Sequence, residues 1–273
     1  GALPVLAHKP APVQVMGLGY TATSGLRAVD YFLTDAVCDP VGGTSERYFT
    51  EKLIRLPSQF VYVPRAGLPA AAETPARSRG YITFGVFNQY RKYTDAMLTV
   101  WREIMERVPT ARLLIKSQVF FSSAMTETAR ARMKRLGFDL RRVALEPATT
   151  DYMQRYLDVD IALDTYPWPG GGTTCDALYM GVPVVTMYGA RRSTRFSYAL
   201  LAHIGRTDLA VQTPADYIER AVSLAGDLAA LDALHRGLRG RMETSPVMDQ
   251  EGYIRALEQA YHSVSDRTEG KRQ

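Results

Sequence analysis

Apolar residues recur along this chain in two rhythms. Short continuous runs come first: Val13 to Met16, Val29 to Thr34, Lys52 to Leu56, Ile82 to Phe87, Arg112 to Ile115, Val143 to Leu145, Val159 to Leu163, Val182 to Met187 and Leu209 to Val211. Runs this short, bounded by turn residues, predict buried strands. Between them, from residue 82 on, apolar positions fall three or four apart. Met97, Val100, Trp101, Ile104 and Met105 mark one face of a helix that Thr94 and Asp95 can cap. Further helices are predicted over Ala124–Leu136, Asp151–Leu157, Thr173 to near Gly181, Arg195–Ile204, Pro214–Ala225 with Thr213 as cap, Leu228–Met242 and Gln250–His262. Strands and helices in alternation predict an α/β fold, a doubly wound, Rossmann-like parallel sheet with helices on both faces.

Ahead of residue 64 the pattern is looser. Residues 1–16 read as extended, Gly17–Gly25 as a loop of small residues, and Ser45–Glu51 as a short helix. Pro64, Gly67, Pro69, Pro75 and a run of alanines mark 65–79 as a linker. The expected division is 1–64, the linker, a unit over 80–262, and a charged, flexible tail over 263–273.

Composition narrows the classes. A hydrophobic content of 46% over 273 residues is enough for a full core and sets disorder aside. No run of about 18 apolar residues occurs, so no helical membrane span is expected. Proline interrupts GALPVLAHKPAPV too often for a signal segment. The chain opens without Met, so its natural start is expected upstream. Two cysteines, Cys38 and Cys175, argue against a disulfide framework and point to a reducing compartment, read as the cytoplasm. Four scattered histidines show no metal spacing. The net charge of +5 is mild. Its clusters at Arg130–Arg142 and Arg236–Arg241 read as solvated helix faces without interleaved aromatics, so neither nucleic acid nor a membrane is expected as a partner.

The densest chemistry lies in residues 157–189. A buried strand runs into Tyr166–Gly172, a loop that Pro and Gly hold open, and then into a helix. Free loop N–H groups, the positive end of the helix dipole and the lack of a Cβ make Gly170, Gly171 and Gly172 an anion site. Thr173 and Thr174 add hydroxyl donors, and Asp176, one turn in, suits a ribose hydroxyl. The expected guest is a nucleotide diphosphate. Glycines alone serve any crossover; the threonines and Asp176 at helix-start spacing favour the phosphate site. Ligands of such sheets lie beyond the carboxyl ends of the strands, and other polar residues share that position. Lys92 can neutralise a diphosphate, Tyr152 can stack on a base, and Arg155 can donate to base carbonyl oxygens. Alone, each reads as a solvated Lys, a half-buried Tyr and a surface Arg. Asp158 and Asp160 have the spacing of a metal motif but flank a strand start, where capping is expected, so no metal or other cofactor is assigned.

At these residues the chain resembles a known family, the O-GlcNAc transferase and SPINDLY protein O-glycosyltransferases of the GT-B fold. The resemblance covers about Pro10 to Tyr261. It rests on PAPVQVMGLGYTATSG, DYFLTD, TEKLIRLP, TFGVFNQYRK, RLLIKS, DIALDTYPWPGGGTTCDALYMGVPVVT and the turn at Ser245–Val247. It implies that Lys92 lies on the donor's diphosphate and helps the leaving group, with Gln89 just before it in the pocket. It implies phosphate contacts from the glycines with Thr173 and Thr174, a ribose contact from Asp176, and a base contact from Arg155, with Tyr152 where the O-GlcNAc transferases have a stacking histidine. Leu18 and Gly19 match a segment of the sugar pocket, and Trp168 is assigned there with them. A glycine stands where the animal enzymes have a histidine before Thr-Thr. Lys116-Ser117 and TTCDALYMGVP are closer to SPINDLY, whose plant member transfers fucose from GDP-fucose, whereas Arg155 points to UDP-GlcNAc. The implied activity is inverting, metal-independent transfer of a sugar to Ser or Thr of an acceptor protein. TPR repeats and the early part of a first lobe are expected upstream, with 1–64 as the remainder of that acceptor lobe and 80–262 as the donor lobe. Two rivals stay open: the same fold with another donor, and a nucleotide-sugar-binding module without activity.

Overall fold

The computed structural model describes residues 3–19, 21–69 and 73–269, the last four without their side chains. Every strand pair among them is parallel. β1 (Val15–Met16), β2 (Tyr31–Asp35) and β3 (Lys52–Leu56) form one sheet in that order. β4 (Thr83–Val86), β5 (Arg112–Lys116), β6 (Val143–Glu146), β7 (Ile161–Leu163), β8 (Val184–Met187) and β9 (Ala210–Val211) form the other. Its order is β6-β5-β4-β7-β8-β9, so the winding reverses between β4 and β7. Two chains of crossovers leave that point in opposite directions, and a crevice opens beyond the carboxyl ends of the two central strands.

The helices are α1 (Leu3–Ala7), α2 (Ala76–Arg79), α3 (Asp95–Arg107), α4 (Ser123–Arg135), α5 (Gly172–Tyr179), α6 (Phe196–His203), α7 (Pro214–Gly226), α8 (Leu228–Glu243) and α9 (Gln250–Glu269). Their caps and stripes follow from the sequence. Thr94 accepts from the Met97 N–H at 3.1 Å and Thr213 from the Asp216 N–H at 3.1 Å. α3 buries Met97, Leu98, Trp101, Ile104 and Met105 in the main core. Gly85, inside β4, marks a close approach: a Cβ there would come within 2.6 Å of Val159 Cγ1.

Five stretches differ from expectation. Residues 3–7 form α1 instead of extended chain. Pro4 sits in the first turn, where its missing N–H is not needed, and Leu3 and Leu6 pack against the Met16, Val29 and Phe32 cluster. The stretch 65–79 ends in α2, because the buried Asp160 accepts from the Thr74 hydroxyl, from Ala76 N at 2.8 Å and from Thr83 N at 2.7 Å; residues 70–72 lie outside the described residues. The last helix does not stop at His262. α9 continues to Glu269 because Tyr253, Ala256, Leu257 and Ala260 form a stripe packed on Leu33, Ile54 and Leu56 of the first sheet, and Val264, buried, extends that spacing; residues 270–273 lie outside the described residues. The helix read at 151–157 is a 3₁₀ turn over Tyr152–Asp158, and that at 45–51 narrows to a 3₁₀ turn over Glu46–Tyr48.

Polar side chains staple the two sheets together. Arg192 donates to Thr34 Oγ1 at 2.8 Å and pairs with the buried Asp39 at 3.4 Å. Arg195 donates to the Val37 carbonyl at 2.8 Å, and Gln59 to that of Phe196 at 3.3 Å. His203 meets Asp35 at 3.3 Å. Burial works against ionisation of Asp35, but His203 and the N–H groups of Cys38 and Val37 outweigh it and hold that carboxyl below its usual range.

Candidate functional site

The segments after β4 and β7 build the crevice. After β4 the chain runs through Phe87, Asn88 and Gln89 into a 3₁₀ turn, Tyr90–Lys92, which turns Lys92 back over the strand ends. Its Nζ donates to the Pro169 carbonyl at 2.8 Å and lies 5.8 Å from the centre of the half-exposed Trp168 ring. Burial pushes the Lys92 pKa down and Arg91 adds to this, while the Asp164 charge pulls it up; the net shift is downward. Gln89 is exposed at the mouth.

After β7 comes Asp164, which is 3% exposed. Its Oδ1 accepts from Thr165 N at 2.8 Å, Gly170 N at 2.8 Å and Asn88 Nδ2 at 3.0 Å, and its Oδ2 accepts from Thr186 Oγ1 at 2.7 Å. Asn88 Oδ1 in turn accepts from Thr173 Oγ1 at 2.9 Å, and Thr174 Oγ1 meets Ser197 Oγ at 2.8 Å. The turn is thus held from beneath by buried side chains. Its glycines differ. A Cβ on Gly170 would strike Thr174 Oγ1 and come within 2.8 Å of Thr173 Oγ1, whereas one on Gly172 would meet nothing within 4 Å. Gly170 is required by the turn's own packing. Gly172 leaves open space at the first residue of α5, where unpaired helix N–H groups favour an anion.

Asp176, in the same helix, accepts from Tyr62 OH at 2.7 Å and Tyr152 OH at 2.8 Å. Burial raises its pKa, and the two phenols offset only part of that. Tyr152 is pushed up to about 12, first by its own burial and then by its bond to Asp176. Tyr62 moves further in the same direction for the same reasons. Arg155 directs its guanidinium onto Glu146 through Nε at 3.0 Å and Nη2 at 2.7 Å, and also pairs with Asp158. That pairing holds the Glu146 carboxyl below its usual range. Lys116 lies 3.6 Å from Glu146.

The fold therefore brings Lys92, Trp168, Gly170, Gly171, Gly172, Thr173 and Thr174 to one crevice, although up to 82 residues separate them in the sequence. Tyr152 joins them through Asp176, with its hydroxyl committed there. Arg155 stands beyond, at the end of β6, with its fork committed to Glu146. Leu18 is exposed and Gly19 takes a φ of +89°; neither makes a hydrogen bond to the crevice among the described residues. Sequence spacing does not single out Asn88, Asp164 or Tyr62. For the first two a signal exists: Asn88 comes after the β4 run and Asp164 after the β7 run, the position where ligand-facing groups collect. Tyr62, in an irregular apolar stretch, has none.

A parallel sheet that reverses its winding at β4 and β7, joined by a crossover segment to a second parallel sheet, defines a Rossmann-like lobe of the GT-B architecture with part of its companion. The family model described as glycosyl transferase family 41 matches residues 3–66 and 74–257. The chain belongs to that family. A probable UDP-N-acetylglucosamine–peptide N-acetylglucosaminyltransferase SPINDLY of Hordeum vulgare is 40% identical over 266 residues, 96% of this chain and 28% of that protein. The SEC protein of Arabidopsis thaliana, named as the same probable activity, is 28% identical over 274 residues, 95% of this chain and 27% of its own. The structure of a mutant O-GlcNAc transferase from Thermobaculum terrenum matches with a TM-score of 0.88 and 32% identity, covering 98% of this chain and 51% of that one. This chain thus spans under a third of the length of the curated relatives it matches. No helix among the described residues is long and apolar enough to cross a membrane.

Proposed function

We propose that the chain is the donor-binding part of an inverting glycosyltransferase that moves a sugar, GlcNAc from UDP-GlcNAc, onto Ser or Thr hydroxyls of acceptor proteins. The observation that carries this reading is the meeting of Lys92 with the Gly170–Thr174 turn at the reversal point of the sheet. A diphosphate seated on the α5 N-terminus would lie beside the Lys92 ammonium. Charge that develops on the leaving group as the sugar departs is then met by a fixed cation and by helix N–H groups already in place. These supply the positive charge that a divalent ion supplies in other transferases, so the proposed chemistry needs no metal. Trp168 stands over Lys92, where the sugar would project. Upstream repeats and the rest of a first lobe would present the acceptor. The proposed division into a 1–64 lobe remainder and an 80–262 donor lobe follows the two sheets, with α9 crossing back to brace the first.

A specific observation favours a second donor. Glu146 sits in the Arg155 fork at the end of β6, and a carboxylate there accepts the Watson–Crick N–H groups of guanine, as GDP-fucose would require. Arg155 suits the carbonyl oxygens of uracil instead. Calorimetric titration with UDP and with GDP tests both. Tighter UDP binding upholds the GlcNAc reading, tighter GDP binding replaces it with the fucose reading, and binding of neither nucleotide overturns the nucleotide-sugar assignment.

A further inference from the structure

One peptide unit in the crevice touches two opposite charges. The carbonyl of the Pro169–Gly170 peptide accepts from Lys92 Nζ at 2.8 Å, and the N–H of the same peptide donates to Asp164 Oδ1 at 2.8 Å. The ammonium and the carboxylate are therefore joined through a single planar, polarisable amide, which the two charges hold in one orientation. Asp164 is itself held on several sides. It is buried at the end of β7, and Asn88, Thr165 and Thr186 fill its remaining acceptor positions. We propose that Asp164 is a positioning residue for Lys92: through the Pro169–Gly170 peptide it fixes where the ammonium stands, and it is the counter-charge to that ammonium across the peptide. The inference rests on the phosphate-site reading only for the ligand that Lys92 then binds.

Groups near this pair are few. Lys92 feels Asp164 from β7 and Arg91 from its own turn, and burial presses its pKa down. On the far side, Tyr217 of α7 donates to the Asp164 backbone carbonyl at 2.9 Å, and its pKa is pushed well up, first by burial and then by the Asp164 charge, so it stays neutral. Asp164 is thus the opposite charge that acts on Lys92. A merely structural Asp164 would also cap the turn, but it would have no reason to act on a lysine in the 3₁₀ turn after β4.

The test is the substitution Asp164→Asn, which keeps an oxygen acceptor of the same shape and removes the charge. In the free protein, the pH dependence of Lys92 acylation by an amine reagent, read by mass spectrometry, reports the Lys92 pKa without any nucleotide. The expected result is a midpoint about one pH unit lower in Asp164→Asn, the scale of losing a nearby opposite charge. The UDP affinity should begin to fall at a correspondingly lower pH, and that fall should be absent in Lys92→Ala. An unmoved acylation midpoint in a folded Asp164→Asn overturns the proposal, whatever UDP does. A moved midpoint with no UDP binding by the wild type upholds the pairing and defeats the phosphate-site reading instead. Should Asp164→Asn not fold, the Gly170 amide resonance of the wild-type chain decides. It should shift through the Lys92 titration and cease to do so in Lys92→Met; a resonance indifferent to that titration overturns the peptide link.

Discussion

Gly170 and Gly172 are two residues apart in one turn, yet the structure gives them opposite sensitivities. A Cβ on Gly170 meets the hydroxyls of Thr174 and Thr173, both already committed to hydrogen bonds, while the space around Gly172 is empty. Gly170→Ala therefore forces the turn apart, at about 1–3 kcal/mol, the usual cost of overpacking. For a chain of this size each kcal/mol moves the midpoint by about 2–4 °C, so melting should fall by several degrees. Gly172→Val meets no neighbour at its Cβ and replaces the poorest helix former but proline with a better one, so stability should stay within about 0.5 kcal/mol. Its methyl groups fill the space a phosphate needs. Losing one charge-assisted hydrogen bond to a phosphate costs about 1.5–3 kcal/mol, which corresponds to UDP binding weakened about 10–100-fold. Calorimetry with UDP beside thermal denaturation reads both quantities. Gly172→Val that binds UDP like the wild type, or that melts as low as Gly170→Ala, would refute the separation of roles.

Lys92→Ala, in the full-length protein, should raise the barrier to the proposed transfer by about 3 kcal/mol or more with the fold intact; turnover within a few-fold of wild type means the lysine is only solvated. Arg155→Ala should weaken UDP by about 1–3 kcal/mol and GDP by less; an unchanged UDP constant removes Arg155 from the base site. Asp176 has a raised pKa in the fold, so its contribution to stability is fully present below the unfolded value near 3.8 and is lost as pH rises through the folded one. Asp176→Asn should accordingly gain on the wild type in melting temperature as pH rises from 4 to 8; a gap that does not change with pH shows that burial of the ionised carboxylate is not a cost.

Much of this protein is legible in one dimension. The strand runs, the caps at Thr94 and Thr213, the glycine stops and the alternation of elements fix a doubly wound parallel sheet, because backbone pairing and burial of apolar stripes depend on local spacing. The glycine–threonine turn and Lys92 are visible for the same reason: topology places the residues after a buried strand at the crevice. Tertiary structure decided matters of partnership. That Asp176 is capped by Tyr62, that Arg155 turns its fork to Glu146, and that Asp164 and Lys92 share one peptide are contacts between residues 6 to 114 positions apart. α9 continues past residue 263 because its stripe finds the first sheet, a surface formed some two hundred residues earlier in the chain. Periodicity records that a side chain is to be buried. Which group meets it is settled only when the sheets close.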